Sequence, residues 1–165
     1  MAIAKKIISY LEKEGYKYEI IEHKTTYTAW DVSQTEKIKP QEVVKTLVMK
    51  LDKDYVLALI SANRNLDKKK LLKVVNADRK KRGEKLSKKI DFAKESWMKK
   101  NIPGKLGAVA PFGKLLELRI YVDSLLSKNK KLYLGSGEYV FSIKLLAGQY
   151  FKKEDLIKGS FSIKK

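Results

Sequence analysis

Apolar positions near the start of the chain recur at helical spacing: Ile3, Ile7 and Leu11 stand at i, i+4 and i+8, Lys5, Lys6, Glu12 and Lys13 take the other side, and Gly15 follows as a stop. A packing helix is predicted over residues 2–14. Residues 16–21 read as a strand, and Thr28-Ala29-Trp30-Asp31 has the Thr-x-x-Asp spacing of a capping box, opening a short helix towards Lys37 that Pro40 ends. Two apolar runs, residues 43–51 and 55–61, flank Asp52-Lys53-Asp54 and predict an antiparallel hairpin of two buried strands. Asp67 is placed to cap a helix through Val75, the polar, basic residues 76–89 around Gly83 read as a loop, and residues 93–100 read as a helix. Further on, strand-like runs at 106–110, 117–122, 131–134 and 139–145 alternate with turns, and a last short helix is expected to start near Lys153. Strands and helices mix without a regular repeat. The pattern therefore predicts an α+β fold, one domain over residues 1–165 built around a mixed sheet.

Composition narrows the function classes. The 165 residues include 37 Lys plus Arg against 19 Asp plus Glu, a formal net charge of +18. Sixteen of the basic residues and only five acidic ones fall between Arg64 and Lys105. Positive charge on this scale attracts polyanions, and clustering favours a binding face over an even coat, so a nucleic-acid partner is expected. A solvated lysine surface is the plain alternative. No apolar run approaches the ~18 residues that span a bilayer, and no signal-peptide segment opens the chain, so a cytoplasmic protein without membrane contact is expected. The absence of Cys excludes disulfides, thiolate nucleophiles and thiolate metal sites, and with one histidine, His23, no His-rich metal site is readable. We expect no metal and no cofactor.

Three features could carry chemistry. Lys45 interrupts the apolar run Val43-Val44-Lys45-Thr46-Leu47-Val48-Met49, on the strand face of Val43, Leu47 and Met49. If that face is buried, its ammonium needs a counter-charge or an anionic ligand; otherwise it is an edge lysine whose stem packs while its head reaches water. Gly107-Ala108-Val109-Ala110-Pro111-Phe112-Gly113 brackets small residues with glycines and a proline, leaving backbone N–H groups open to a carbonyl or phosphate. Gly135-Ser136-Gly137 is equally permissive, and each of these segments reads equally as a plain turn. His23 has no neighbouring nucleophile in a recognisable arrangement and reads as a structural residue.

Taken together, His23-x4-Thr28-Ala29, Val44-Lys45-Thr46-Leu47-Val48, Gly107-x3-Pro111-Phe112-Gly113, Gly135-Ser136-Gly137 and Glu154-Asp155-Leu156 resemble, in order and spacing, the YbaK/ProX family of aminoacyl-tRNA deacylases. Related editing domains are inserted in bacterial prolyl-tRNA synthetases. The resemblance implies a mixed, mainly antiparallel sheet flanked by helices. It also implies a trans-editing hydrolase that cleaves the ester joining a wrong amino acid to tRNA, with a synthetase as a further partner and no DNA. Carried over by position, Lys45 matches the family's functional lysine, Gly107 to Pro111 the loop beside the aminoacyl group, and Gly135 to Gly137 the turn lining the other side of the pocket. Lys45, Gly107 and Ser136 are thus expected to be catalytic. His23, Thr28, Thr46, Ala108, Val109, Ala110, Pro111, Phe112, Gly113, Gly135 and Gly137 are expected to bind substrate, and Lys68, Lys69, Arg79, Lys80, Lys81 and Arg82 to hold tRNA. Members resembling alanine-specific editors carry a His near the Gly-Ser-Gly turn, and this chain has none there. A non-catalytic RNA-binding module on the same scaffold, or a synthetase-associated protein, is the alternative.

Overall fold

A computed structural model of the chain describes residues 2–165. The first helix, α1 (Lys5–Lys13), buries Ile7, Tyr10 and Leu11 on one face. It ends in a double bond pattern through Gly15, with Gly15 N–H on the Glu12 carbonyl and Tyr16 N–H on that of Leu11. Strand β1 (Tyr18–Glu22) follows, then α2 (Ala29–Thr35), whose N-cap Thr28 accepts a hydrogen bond from Asp31 N–H as its spacing predicts. Pro40 opens a short 3-10 turn, and β2 (Val44–Leu51) and β3 (Tyr55–Ser61) form the expected hairpin, with Lys45 opposite Ile60 and Lys50 opposite Tyr55.

The helix capped by Asp67, α3, runs over Lys68–Lys81 rather than stopping at Val75. Apolar periodicity does end at Val75, but Asp78 continues the buried side by polar means. It accepts from the Tyr121 hydroxyl at 2.8 Å and the Arg82 guanidinium at 2.9 Å. Burial raises the Asp78 carboxyl, yet the bonds from Arg82 and Tyr121 and the charge of Arg119 outweigh it and hold the group below its ordinary value. Gly83 then closes α3 as Gly15 closes α1, with Gly83 N–H on Lys80 and Glu84 N–H on Arg79.

After β4 (Arg64–Leu66), which precedes α3, come β5 (Ile90–Phe92), α4 (Glu95–Asn101), the single turn α5 (Gly113–Leu116), β6 (Arg119–Asp123), β7 (Lys131–Gly135), β8 (Phe141–Leu146), α6 (Ala147–Lys153), β9 (Leu156–Gly159) and β10 (Ser162–Lys164). Two expectations need correction. Residues 106–110 form no strand, because the segment is bonded to other loops instead of to a ladder. The last helix ends at Lys153 instead of starting there, and the chain after it returns to the sheets as β9 and β10. Strands β4, β5, β9 and β10, each of three or four residues, are too short to show a period in the sequence.

The fold is α+β, with mostly antiparallel pairing. A five-stranded sheet of order β5-β2-β3-β6-β9 is parallel only at β3-β6 and β6-β9; β1-β8-β7 form a second sheet and β10-β4 a third. Strand β3 lies at the centre of the larger sheet, which explains its uninterrupted run from Val56 to Ile60: both faces are buried. On one face Val44, Val48, Leu57, Leu59, Ile120 and Val122 pack with Leu132, Leu134, Ile143 and Leu145 of the second sheet and Ile7 and Leu11 of α1. On the other, Met49, Val56, Ala58, Ile60 and Tyr121 pack against Leu71 and Val75 of α3 and against Phe161. Asp123 pins the end of the chain, its buried carboxylate accepting from Phe161 N–H, Ser162 N–H and the Ser162 hydroxyl. Among the described residues no helix is long and apolar enough to cross a membrane.

Candidate functional site

Where the two larger sheets diverge, the start of α2, strand β2 and two loops enclose a small cavity of about 30 Å³. Val32, Val43, Val44, Val109, Leu134 and Phe141 supply its apolar wall, and Thr26, Thr46, Glu138 and Ser142 its polar groups. The loops touch backbone to backbone: Gly137 N–H donates to the Ala108 carbonyl at 2.6 Å and Lys105 N–H to that of Gly137 at 2.7 Å. Such contact leaves no room for side chains. A Cβ at Gly135 would meet the carbonyl oxygens of Val109 and Ala108 inside contact distance, and one at Gly107 would strike the Tyr27 carbonyl oxygen. Gly107 also has φ +82°, where other residues are strained. No backbone acceptor among the described residues takes the N–H of Gly107 or Val109.

The Thr46 hydroxyl is buried and has no hydrogen-bond partner. Thr46 lines both this cavity and a wider hollow of about 340 Å³ that also takes in Thr28, Ala29, Trp30, Lys45, Leu47, Gly107 and Lys165. The hollow exists because β5 covers the edge of β2 only from Met49 to Leu51, leaving the edge at Lys45 to Leu47 without a neighbouring strand from that side. Lys45 Nζ donates to the Arg64 carbonyl at 2.9 Å, and Lys165 Nζ stands 4.5 Å from the centre of the Trp30 ring. Burial, helped by the charge of Lys165, holds the Lys45 ammonium below the ordinary lysine value. Two cations and an exposed indole therefore face one opening. Beside it, Tyr27 is 61% exposed and packs edge-on against Tyr139 at 4.9 Å.

A small enclosed pocket meeting a cationic, aromatic hollow at one strand edge suits a ligand with a compact head and an anionic, ring-bearing tail. The sequence profile of the aminoacyl-tRNA editing domain matches residues 23–152, most of the chain and both loops of the pocket. The chain belongs to that family. Among solved structures, the editing domain is similar over 98% of its length to a proposed trans-editing enzyme for prolyl tRNA synthetase, covering 99% of that chain at TM-score 0.80 and 18% identity. It is also similar to a hypothetical protein, covering 96% of this chain and all of that one at TM-score 0.79 and 16% identity. At these identities the likeness concerns the fold. No curated protein matches in sequence.

The editing domain brings Thr28, Thr46, Gly107, Ala108, Val109 and Gly135 of the expected residues to the cavity wall. Lys45 shares the strand face of Leu47 and Met49, as its place in the apolar run predicts, and that face is not the cavity's. Strand alternation sends Val44, Thr46 and Val48 to the cavity side and Lys45, Leu47 and Met49 to the α3 side, so Lys45 reaches Gly107 only through the hollow at the open edge and does not line the cavity. Ser136 is fully buried within its turn, its hydroxyl donates to the Phe141 carbonyl at 2.7 Å, and it is not among the residues lining the cavity. His23 stands behind the wall, its Nε2 2.9 Å from the hydroxyl of Ser142, which does line the cavity. Residues 110–113 belong to the core and not to the pocket: Phe112 is fully buried among Tyr10, Tyr16 and Tyr150, and the Tyr150 hydroxyl donates to the Pro111 carbonyl. Gly137 serves the loop contact.

Of the expected tRNA contacts, Lys69, Lys80 and Lys81 are exposed on α3. Lys68 pairs with Asp91 at 2.8 Å, Arg79 with Asp54 at 3.1 Å and Arg82 with Asp78 at 2.9 Å. Arg79 ties α3 to the turn between β2 and β3, and Arg82 pairs within its own helix. Reversing Lys80 and Lys81 to Glu should weaken tRNA binding, and flatten its salt dependence, with melting temperature unchanged. Reversing Arg79 should instead lower the melting temperature, since it also donates to the Lys85 carbonyl. Filter binding across a salt series and a thermal melt read the two effects separately. Sequence reasoning missed Glu138 and Lys165, which lie outside the motifs, and read Trp30 only as part of a helix cap; all three become neighbours of the pocket or hollow only in the folded chain.

Proposed function

We propose that this editing domain hydrolyses the ester of a mischarged aminoacyl-tRNA. The observation that carries the reading is the unpartnered hydroxyl of Thr46, a residue that lines both the cavity and the hollow. A buried polar group without a partner costs stability, and such a group is retained where a ligand completes its bond. In this reading the amino-acid side chain enters the cavity, whose size suits a small residue. The terminal adenosine and its phosphate occupy the hollow, with Lys45 and Lys165 opposite the phosphate and Trp30 beside the base. The scissile carbonyl sits at Gly107 and Val109, whose N–H groups stabilise the oxyanion.

Water adds to the carbonyl carbon, the bond to the ribose oxygen breaks, and that oxygen leaves with a proton as the free hydroxyl. The neighbouring ribose hydroxyl is the group placed to relay the proton, so the chain needs no strong nucleophile for an ester already activated. Helix α3 begins four residues after Arg64, whose carbonyl holds Lys45, and extends about 20 Å to Lys81. Its exposed lysines give the acceptor stem a path away from the hollow, by phosphate contacts that read little sequence.

Thr46→Val tests this directly. Removing an unsatisfied hydroxyl while keeping shape should leave thermal stability unchanged or slightly raised, while deacylation falls about tenfold, the worth of one hydrogen bond to the substrate. Assays with tRNAs charged with Ala, Cys, Ser, Thr and Pro identify the substrate. Full activity in Thr46→Val, or no deacylation of any charged tRNA by the unaltered protein, overturns the reading.

A further inference from the structure

Glu138 is the single charged residue among those lining the small cavity. It follows the Gly-Ser-Gly turn, its backbone N–H donates to the Ser136 hydroxyl at 3.2 Å, and its side chain is 16% exposed. Its carboxylate oxygen Oε1 lies 3.1 Å from Lys105 Nζ, and that ammonium also stands 5.4 Å from the centre of the Tyr139 ring. A carboxylate among valines, a leucine and a phenylalanine is costly to desolvate, and one cation offsets only part of that cost. An ionised carboxylate accepts several donors, so a cation beside Oε1 does not exhaust its capacity.

Resting on the proposed reaction, we propose that Glu138 holds the α-ammonium group of the aminoacyl ester and so restricts the site to substrates with a free amine. The ammonium is what separates an aminoacyl ester from an N-acylated one of the same side chain. A carboxylate on a residue lining an otherwise uncharged cavity is complementary to it, repels anionic substituents at that position and attracts a neutral one far less than a cation. The Ala108 carbonyl, bonded to Gly137 N–H, ties the loop offering the oxyanion donors to the turn carrying Glu138, so ester carbonyl and ammonium are gripped from two sides of one joint.

The experiment compares two non-hydrolysable probes, 3′-alanylamino-3′-deoxyadenosine and its N-acetyl counterpart, by calorimetry, alongside deacylation of alanyl-tRNA and N-acetylalanyl-tRNA. The unaltered protein should bind the free amine at least about tenfold more tightly, and Glu138→Gln should bind both probes alike. Lys105→Ala should keep the preference, which a merely structural ion pair would not allow. Equal binding of both probes by the unaltered protein, a preference retained in Glu138→Gln, or equal loss in Lys105→Ala overturns the assignment. A preference for the free amine without deacylation of either tRNA supports the assignment and overturns the hydrolase reading instead.

Discussion

Lys45→Ala should lower deacylation of a mischarged tRNA by about 100-fold or more while the protein stays folded, if the hollow receives the terminal nucleotide as proposed. The structural loss is one hydrogen bond to the Arg64 carbonyl from a half-buried side chain, about 1 kcal/mol, so a thermal melt should move little. Loss of activity with an intact melt separates a substrate contact from a fold contact. Activity within a few-fold of the unaltered protein would remove Lys45 from the reaction. The pH dependence gives a second readout. Burial and the Lys165 charge favour the neutral amine, so the ammonium is lost at lower pH than in an ordinary lysine, and activity should fall correspondingly early on the alkaline side. Lys165→Ala should shift that fall to higher pH. The linked stability has the opposite sense: between the folded and unfolded values of Lys45 the unfolded chain binds more protons, so stability rises with pH there, and Lys45→Ala removes the rise.

The second large effect is expected at the joint between the loops. Gly135→Ala puts a methyl group against the carbonyl oxygens of Val109 and Ala108, and the Ala108 oxygen cannot retreat without loosening its bond from Gly137 N–H. Overpacking of this kind costs about 3 kcal/mol, a drop of roughly 10 °C in melting temperature for a chain of this size. Gly107→Ala combines a collision with the Tyr27 carbonyl with a left-handed backbone and should behave similarly. Both variants should lose deacylation in whatever fraction stays folded, because the oxyanion donors move. Gly148→Ala is the control. It lies in α6 with nothing within 4 Å of the added methyl, so it should be neutral or slightly stabilising. A Gly135→Ala protein with unaltered melt and activity would show that the loops do not need their close contact.

These glycines show what kind of information the sequence held. Their spacing and the resemblance marked both loops, but the glycines read as turns that leave N–H groups open, whereas in the folded chain Gly135 and Gly137 admit the backbone of the other loop. Periodicity alone predicted the β2-β3 hairpin, the Thr28 and Asp67 caps and the Gly15 stop, because each rests on contacts within a few residues or on one strand's alternation. It ended α3 at Val75 because Asp78 prolongs the buried face through Tyr121 and Arg119, residues some forty positions away. It left β4, β5, β9 and β10 unread because strands that short are stabilised by their neighbours and not by their own pattern.

The sequence by itself determined the α+β class, the hairpin, the basic character of the α3 region and the motifs of the editing family. Each of these is written in local spacing, in charge, or in residue types that only one backbone geometry tolerates. Tertiary structure alone decided that Lys45 leaves β2 on the α3 side and lines a hollow at an uncovered edge. It also decided that Ser136 is buried within its turn, that Arg79 and Arg82 serve ion pairs, and that Glu138 lines the cavity. The reason is physical: which groups are desolvated together depends on sheets and loops distant in the chain, and a side chain's chemistry follows from what surrounds it.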